Sequence, residues 1–241
     1  MQYEWINNVA KMLNDYTIIN FHDIFNEKIE PNTLPNNLTT LIFGKKFNQG
    51  IEPNTLPENL TTLNFGSRFN QEIKSNILPE NLTNLTFIFG SYFNQKIKLI
   101  TLPKNLTTLT FGYYFNQKIE PNTLPKNLIN LTFGLRFNQK IESNTLSENL
   151  TTLIFGYNFN QKIEPNILHE NLSNLTFGLR FNQKIESKML PSNLKNINFN
   201  WICLDKNHPI EHHIEIINNI PSYYHVEIFL DKNIIGNNES K

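Results

Sequence analysis

The sequence predicts a mainly β solenoid of about eight 22-residue repeats, with parallel strands stacked in one sheet. A unit of 22 residues has room for one strand and a return segment, but not for two helices or a four-stranded blade. A Phe-Asn pair recurs at this spacing from Phe25 to Phe181, with one step of 24 residues. Leu-Pro or a variant of it recurs in the same way, at Leu34, Leu56, Leu78, Leu102, Leu124, Leu146, Leu168 and Leu190.

Each unit contains one short strand. In the unit LPKNLTTLTFGYYFNQKIEPNT, which begins at Leu102, Leu109 and Phe111 alternate with threonines, the pattern of a half-buried strand. Gly112 follows this strand and permits a bend. A single unit cannot bury its apolar side, so neighbouring units must stack to form a continuous core. Six side chains per unit are expected to face that core, namely Leu102, Leu106, Leu109, Phe111, Phe115 and Ile119.

One repeat is two residues longer than the others, at the sequence LTFIFG. Leu85, Phe87 and Phe89 keep the alternation there, and an insertion of two residues preserves the face that each side chain occupies. The sequence therefore predicts a lengthened strand or a small bulge at residues 86–89.

Polar residues also recur once per unit. Asn116 and Gln117 recur through the repeats, and we interpret them as an internal ladder of amides that binds backbone at a corner. Lys118 and Glu120 likewise recur, and we interpret them as a solvated ridge of opposite charges. The Asn-x-Ser/Thr sequons, of which Asn105 begins one, are interpreted as structural, because residues 1–20 lack an export signal and glycans on every rung would crowd the stack.

The two ends differ from the repeats. Residues 1–24 are expected to form a short N-terminal helical cap, and residues 25–199 the repeat solenoid. Residues 200–241 are expected to form a degenerate-repeat C-terminal cap and tail, in which Val226 and Ile228 alternate. The helix prediction depends on apolar residues at roughly helical spacing, namely Trp5, Ile6, Val9, Met12 and Leu13.

The repeat carries a family resemblance. Phe115-Asn116 with Ile119 and Pro121 follows LPKNLTTLTFG, and the combination resembles the FNIP repeat of social amoebae and amoeba-infecting giant viruses. The pattern covers residues 25–199, with substitutions at some of its prolines. The resemblance implies a curved solenoid similar to leucine-rich repeats. Some members of the family carry an F-box, which implies a ubiquitin-ligase adaptor, but residues 1–24 are too short for that domain.

Composition argues against several classes of function. The 21 basic and 21 acidic residues balance, so nothing favours a nucleic acid or an anionic membrane as partner. No run approaches eighteen apolar residues, and residues 1–20 lack the pattern of an export signal. The single cysteine, Cys203, excludes an internal disulfide. We interpret a cluster near the C-terminus as polar cap residues and expect no catalytic site, metal or cofactor there: Cys203, Asp205, His208, His212, His213 and His225.

The most variable pair in each unit follows the glycine. Stacking places these pairs in one row, here called the corner stripe: Lys45, Lys46, Ser67, Arg68, Ser91, Tyr92, Tyr113, Tyr114, Leu135, Arg136, Tyr157, Asn158, Leu179 and Arg180. Tyrosine and arginine are favoured at the energetic centres of protein interfaces. Nine members are therefore candidate partner-binding residues: Arg68, Tyr92, Tyr113, Tyr114, Leu135, Arg136, Tyr157, Leu179 and Arg180. The alternative interpretation is a tolerant rim, that is, a solvent-exposed edge that binds no partner and accepts many residue types.

These observations favour a non-enzymatic scaffold that presents a solenoid surface to an intracellular protein partner, with no small-molecule substrate. If the chain is encoded by a virus, the host cytoplasm is the expected location. Three alternatives stay open at this point. The chain could be a self-assembling structural repeat protein, a substrate-recognition subunit acting with a ubiquitin ligase, or an enzyme with its site in the C-terminal cap.

Overall fold

A computed structural model describes residues 16–199 in full and the backbone of two further short strands, at residues 5–6 and 225–228. Within these residues, eleven parallel strands form one sheet in chain order. A 3-10 helix at Ser187–Met189 is the helical element of this described part. The strands are β1 (Trp5–Ile6), β2 (Ile18–Phe21), β3 (Thr40–Ile42), β4 (Thr62–Phe65), β5 (Asn84–Phe87), β6 (Thr108–Thr110), β7 (Asn130–Thr132), β8 (Thr152–Ile154), β9 (Asn174–Phe177), β10 (Asn196–Phe199) and β11 (His225–Ile228).

The strands pair in the register of the repeat. Leu109 of β6 lies opposite Leu131 of β7, and this pairing of equivalent residues holds from β2 to β10. One turn of the chain therefore makes one rung of a solenoid. The predicted fold class, a parallel-strand solenoid with about eight turns of 22 residues, is confirmed.

The core consists of leucines and isoleucines around two columns of stacked phenylalanines. The six side chains predicted to face the core of the unit that begins at Leu102 are all buried. Within that rung the rings of Phe111 and Phe115 stack at 3.8 Å. Phe115 also stacks on its equivalents in the rungs on either side, Phe93 and Phe137, at 6.1 Å each.

The rungs diverge away from the sheet. Parallel strands lie about 4.8 Å apart, whereas the rings of Phe43 and Phe65, just behind the sheet, are 5.5 Å apart. The rings of Phe47 and Phe69, farther along the same two rungs, are 6.1 Å apart. A solenoid that curves toward its sheet has this widening, so the sheet lies on the concave side.

Close stacking explains the glycine that follows most of the strands. A Cβ built on Gly134 would lie 1.7 Å from the carbonyl oxygen of Gly112, and one on Gly66 would lie 1.9 Å from that of Gly44. Neither glycine has a positive φ. Glycine is therefore required because the neighbouring backbone occupies the place of a side chain, and the bend that the sequence predicted is not what requires it.

The two extra residues widen a corner and do not lengthen a strand. Strand β5 ends at Phe87, and Phe89 is 79% exposed, so the prediction that Phe89 continues the buried alternation is wrong. Gly90 takes a φ of 84° in the resulting turn. The physical reason is that Phe87 and Phe93 already fill the two ring columns in this rung. The added residues have no place in the core and project outward.

The predicted amide ladder is confirmed. The backbone N–H of Asn116 donates to Oδ1 of Asn94 at 2.9 Å, and its own Oδ1 accepts from the N–H of Asn138 at 2.9 Å. The same Oδ1 accepts from Nε2 of Gln139 at 3.1 Å. The ladder satisfies backbone donors where the chain turns. A second ladder joins each rung to the backbone carbonyl before it, through the side-chain amides of Asn59, Asn81, Asn105, Asn127, Asn149 and Asn171.

At the opposite corner, seven successive rungs each contain a residue with left-handed backbone, which the sequence analysis missed. In one rung Ile100 takes this conformation, with a φ of 67°. Ile100 is 65% exposed, and Leu99 beside it is 61% exposed. A β-branched residue is strained there, whereas asparagine visits this region at lower cost. The other rungs use asparagine: Asn32, Asn54, Asn76, Asn122, Asn144 and Asn166.

Ile100→Asn is expected to raise the free energy of unfolding by about 1 kcal/mol, because it relieves the left-handed strain. Little packing is lost, since the isoleucine side chain is mostly in solvent. Asn122→Ile, at the equivalent position of the next rung, should lower the free energy of unfolding by a similar amount. Urea denaturation followed by circular dichroism measures both changes. Equal changes of the same sign would contradict this explanation.

At the N-terminal end, two residues of the predicted helical cap form a strand. Trp5 and Ile6 make β1, whose backbone pairs with Asn20 and Phe21 of β2. For Trp5 and Ile6 the helix prediction is therefore wrong, because their backbone pairs with the open edge of β2. The other residues on which the cap prediction depends, Val9, Met12 and Leu13, lie outside the described residues.

At the C-terminal end, the sheet gains one strand beyond the regular repeats. Ile197 pairs with Val226, and Phe199 pairs with Ile228. This pairing confirms that the alternation of Val226 and Ile228 marks a strand in register with the repeats. The remaining residues of the predicted C-terminal cap and tail lie outside the described residues.

Candidate functional site

The corner stripe lies beyond the carboxyl ends of strands β3 to β9, at one edge of the concave sheet. The two residues that follow each glycine lie at the molecular surface, except that Ser91 is buried. Of the nine predicted binding residues, four are partly buried, namely Tyr113, Tyr114, Leu135 and Leu179. The other five are exposed, namely Arg68, Tyr92, Arg136, Tyr157 and Arg180.

The centre of the stripe is a contiguous aromatic cluster. The rings of Tyr92 and Tyr114 stack at 4.7 Å with an interplanar angle of 14°. Tyr113 and Tyr114 are tilted neighbours at 4.8 Å. The guanidinium carbon of Arg136 lies 4.4 Å from the ring centroid of Tyr114 and 5.7 Å from that of Tyr113. Three adjacent rungs therefore contribute to one patch of stacked planar groups.

Phe89 also belongs to this cluster, and the sequence analysis missed it. Its ring meets Tyr113 edge-on, at 6.3 Å and 87°. The two-residue insertion places it there, because that insertion widens the corner next to the tyrosines. The sequence did contain a sign of this contact, because the two-residue insertion ends close to the variable pair Ser91-Tyr92, with only Gly90 between Phe89 and that pair.

A second arginine–tyrosine pair lies farther along the stripe. The guanidinium carbon of Arg180 is 5.4 Å from the ring centroid of Tyr157, one rung away. Leu179 packs against the edge of the core, as a partly buried side chain. The predicted site residues therefore form two groups, one around Tyr114 and one around Tyr157. Arg68 lies two rungs before Tyr114.

On the charged ridge formed by the recurring Lys and Glu residues, most lysines form ion pairs with glutamates of the same ridge. Lys118 pairs with Glu120 of its own rung at 3.0 Å and with Glu142 of the next rung at 3.2 Å. The hydrogen bonds that Lys118 donates to these two carboxylates raise its pKa, and a hydrogen bond that Lys98 donates to Glu72 lowers the pKa of Glu72. Both the pairs within a rung and the diagonal pairs agree with the predicted solvated ridge.

The corner stripe is different, because it contains cations without acids. None of its fourteen residues is acidic. Lys45 pairs with Asp23, which precedes the stripe. In the part of the chain that the structure describes, the other four cations have no carboxylate within ion-pairing distance: Lys46, Arg68, Arg136 and Arg180. The stripe is therefore a positively charged, tyrosine-rich edge on a molecule of balanced charge.

The described residues contain no group of three or more histidine, cysteine or carboxylate side chains that could hold a metal ion. The cluster near the C-terminus that the sequence analysis interpreted as polar cap residues lies outside them, and of His225 the structure describes the backbone alone. No helix among the described residues has the length and apolar character needed to cross a bilayer.

The family follows from the repeat itself. The FNIP repeat model matches residues 16–46, 47–90, 93–136, 137–179 and 160–201, which together cover most of the chain. This chain belongs to the FNIP repeat family. The match begins at residue 16, just before strand β2, whose buried Ile19 and Phe21 already follow the pattern of the repeat.

A solved structure shares the fold of this FNIP repeat chain. CroV588, a protein of the giant virus CroV described as a novel circular LRR protein structure, matches with a TM-score of 0.63 and 36% sequence identity. The match covers 93% of this chain and 38% of CroV588, so the chain spans little more than a third of the length of that protein. The leucine-rich-repeat-like fold is thereby shown. No curated protein matches the chain.

Proposed function

We propose that this FNIP repeat chain is a non-enzymatic scaffold that holds a protein partner on its corner stripe. The observation that carries the proposal is the cluster of Phe89, Tyr92, Tyr113 and Tyr114 with Arg136 stacked on it. Solenoids characteristically bind partners along extended surfaces built from equivalent positions of successive repeats.

The order within the cluster supports this proposal. Each aromatic side chain is held by its neighbour, so binding costs less side-chain entropy than it would for isolated rings. Tyr92 and Phe89 keep 51% and 79% of their surface exposed, which leaves apolar area for a partner to cover. Tyrosine and arginine together are the residue types that contribute most at protein interfaces.

Simultaneous replacement of Tyr113, Tyr114 and Arg136 by alanine is expected to abolish recovery of the partner in affinity capture from the native host cell. The three side chains are outside the core, so the variant should keep the circular dichroism spectrum of the parent protein. A variant with Lys104→Ala and Lys126→Ala is the matched control, because both lysines are exposed on the return segment away from the stripe.

The comparison is quantitative and uses one identified protein. Recovery of the same partner with the parent and control proteins, but not with the triple variant, is the expected result. If the triple variant retains its fold and recovers every partner as efficiently as the parent, the corner stripe is a tolerant rim and the proposal fails.

A further inference from the structure

We infer that the partner segment bound by the corner stripe is acidic, with carboxylates that pair with Arg136 and Arg180. This inference rests on the proposed function and names the chemistry of the partner. It starts from the contrast between two neighbouring surfaces. Five lysines of the ridge pair with glutamates, namely Lys28, Lys98, Lys118, Lys162 and Lys184. In the described part of the chain, Arg136 and Arg180 face solvent without an acid. A carboxylate that reaches the stripe therefore meets cations that are not already paired.

The tyrosines hold the arginines in an orientation that suits carboxylates. The guanidinium group of Arg136 lies over Tyr114 at 4.4 Å, and that of Arg180 lies over Tyr157 at 5.4 Å. A guanidinium group that lies over a ring with its flat face keeps its N–H edge available. That edge forms two parallel hydrogen bonds to one carboxylate. Lysine has no such planar edge, so the choice of arginine favours carboxylate recognition.

The spacing suits a short extended segment. Arg136 and Arg180 are two rungs apart, and rings on this side of the core are spaced at 6.1 Å per rung. Two rungs correspond to about four residues of extended chain at about 3.3 Å each. Carboxylates four residues apart along a partner strand therefore align with the two guanidinium groups. The exposed ring of Phe89 lies farther along the same edge, where it can contact an apolar side chain.

Discrete carboxylates fit the charges better than a nucleic acid does. A nucleic acid needs a continuous basic track to neutralise successive phosphates. Here Lys46 and Arg68 lie on adjacent rungs, but the rungs between Arg68, Arg136 and Arg180 carry tyrosines and no cation in the stripe. The chain as a whole has 21 basic and 21 acidic residues.

The test measures binding of fluorescently labelled decaglutamate by anisotropy at low salt, with decaglutamine and a single-stranded deca-thymidine oligonucleotide as competing classes of ligand. The full chain is used as the parent, as Arg136→Glu with Arg180→Glu, and as Lys104→Glu with Lys126→Glu. The second variant makes the same change in charge on the return segment, where both lysines are exposed. Circular dichroism verifies that each protein is folded.

The expected result is that the parent binds decaglutamate and not decaglutamine, and that the arginine variant loses about tenfold in affinity or more. The lysine variant should lose less than about twofold, the effect of distant charge alone. Arg136→Lys should also weaken binding, because lysine keeps the charge but loses the bidentate geometry. Absence of decaglutamate binding, equal losses in the two double variants, or tighter binding of the oligonucleotide through the same arginines would each overturn the inference.

Failure of the inference that the partner is acidic can be distinguished from failure of the proposed function by repeating the affinity capture with both variants. If the triple variant loses the captured partner but Arg136→Glu with Arg180→Glu keeps it, the stripe binds a protein that is not acidic. If neither variant affects capture, the stripe itself is not the binding surface.

Discussion

Gly134→Ala is expected to lower the free energy of unfolding by about 3 kcal/mol or more, at the upper end of the cost of overpacking. The added methyl group would lie 1.7 Å from the carbonyl oxygen of Gly112 and 2.5 Å from its carbonyl carbon. These are backbone atoms of the preceding rung, so no side chain can rotate away to make room. Relief requires the two rungs to separate, which weakens the stacking around them.

Gly50→Ala is the matched control, because a Cβ on Gly50 would meet no heavy atom within 4 Å. Its effect should lie between neutral and about 1 kcal/mol of stabilisation, since alanine restricts the unfolded chain. Urea denaturation followed by circular dichroism measures both variants, and the m value reports whether the solenoid still unfolds as a unit. Similar losses in the two variants would mean that the rungs do not approach as closely as the structure shows.

Phe115→Ala is expected to lower the free energy of unfolding by about 3–5 kcal/mol, the usual cost of removing a buried aromatic ring. Phe115 is fully buried and lies at the centre of its column. It stacks on Phe111 at 3.8 Å and on Phe93 and Phe137 at 6.1 Å. Its loss removes contacts with three rungs at once, and the fixed strand spacing prevents the stack from closing the gap.

Phe89→Ala makes the same chemical change on the surface. Phe89 is 79% exposed, so its free energy of unfolding should change by less than about 0.5 kcal/mol. The pair also separates stability from function. Phe89→Ala should weaken capture of the partner without affecting the stability of the fold. Phe115→Ala should lower the stability of the fold, because the ring it removes lies in the core. Comparable destabilisation by the two substitutions would contradict the assignment of Phe89 to the surface.

The sequence was sufficient to predict the fold because repetition shows each structural requirement many times. Leu109 and Phe111 alternate with threonines in the same way in nearly every unit, so the strand, its buried face and its parallel register could all be predicted. The amide ladder through Asn116 was predictable for the same reason. A residue that the fold requires in every rung recurs at a fixed spacing, so it can be recognised in the sequence without knowing how neighbouring rungs contact one another.

Contacts between rungs were harder to predict, since they depend on distances that no single unit contains. Gly112 was predicted to permit a bend, yet glycine is needed there because an added Cβ would lie 2.3 Å from Cβ of Ser91 in the preceding rung. The left-handed corner at Asn122 also passed unnoticed, although asparagine is suited to it. Phe89 was placed in the core because alternation cannot show that the ring columns were already full.

The candidate site was predictable as a set of positions but not as a geometry. Variability after each glycine identified the corner stripe. The stacking of Tyr92 on Tyr114 depends on how far apart the rungs lie, and so does the position of Arg136 over Tyr113 and Tyr114. The contrast between paired lysines on the ridge and unpaired arginines on the stripe also required three-dimensional distances.

The central claim is that the corner stripe contacts a protein partner, and site-specific photo-crosslinking in the native host cell tests it most directly. Benzoylphenylalanine is placed at Leu135, within the stripe, or at Lys104, on the return segment. We predict that irradiation joins one and the same partner to the Leu135 position and not to the Lys104 position. Adducts of equal yield at both positions, or adducts with that partner at Lys104 alone, would contradict the claim.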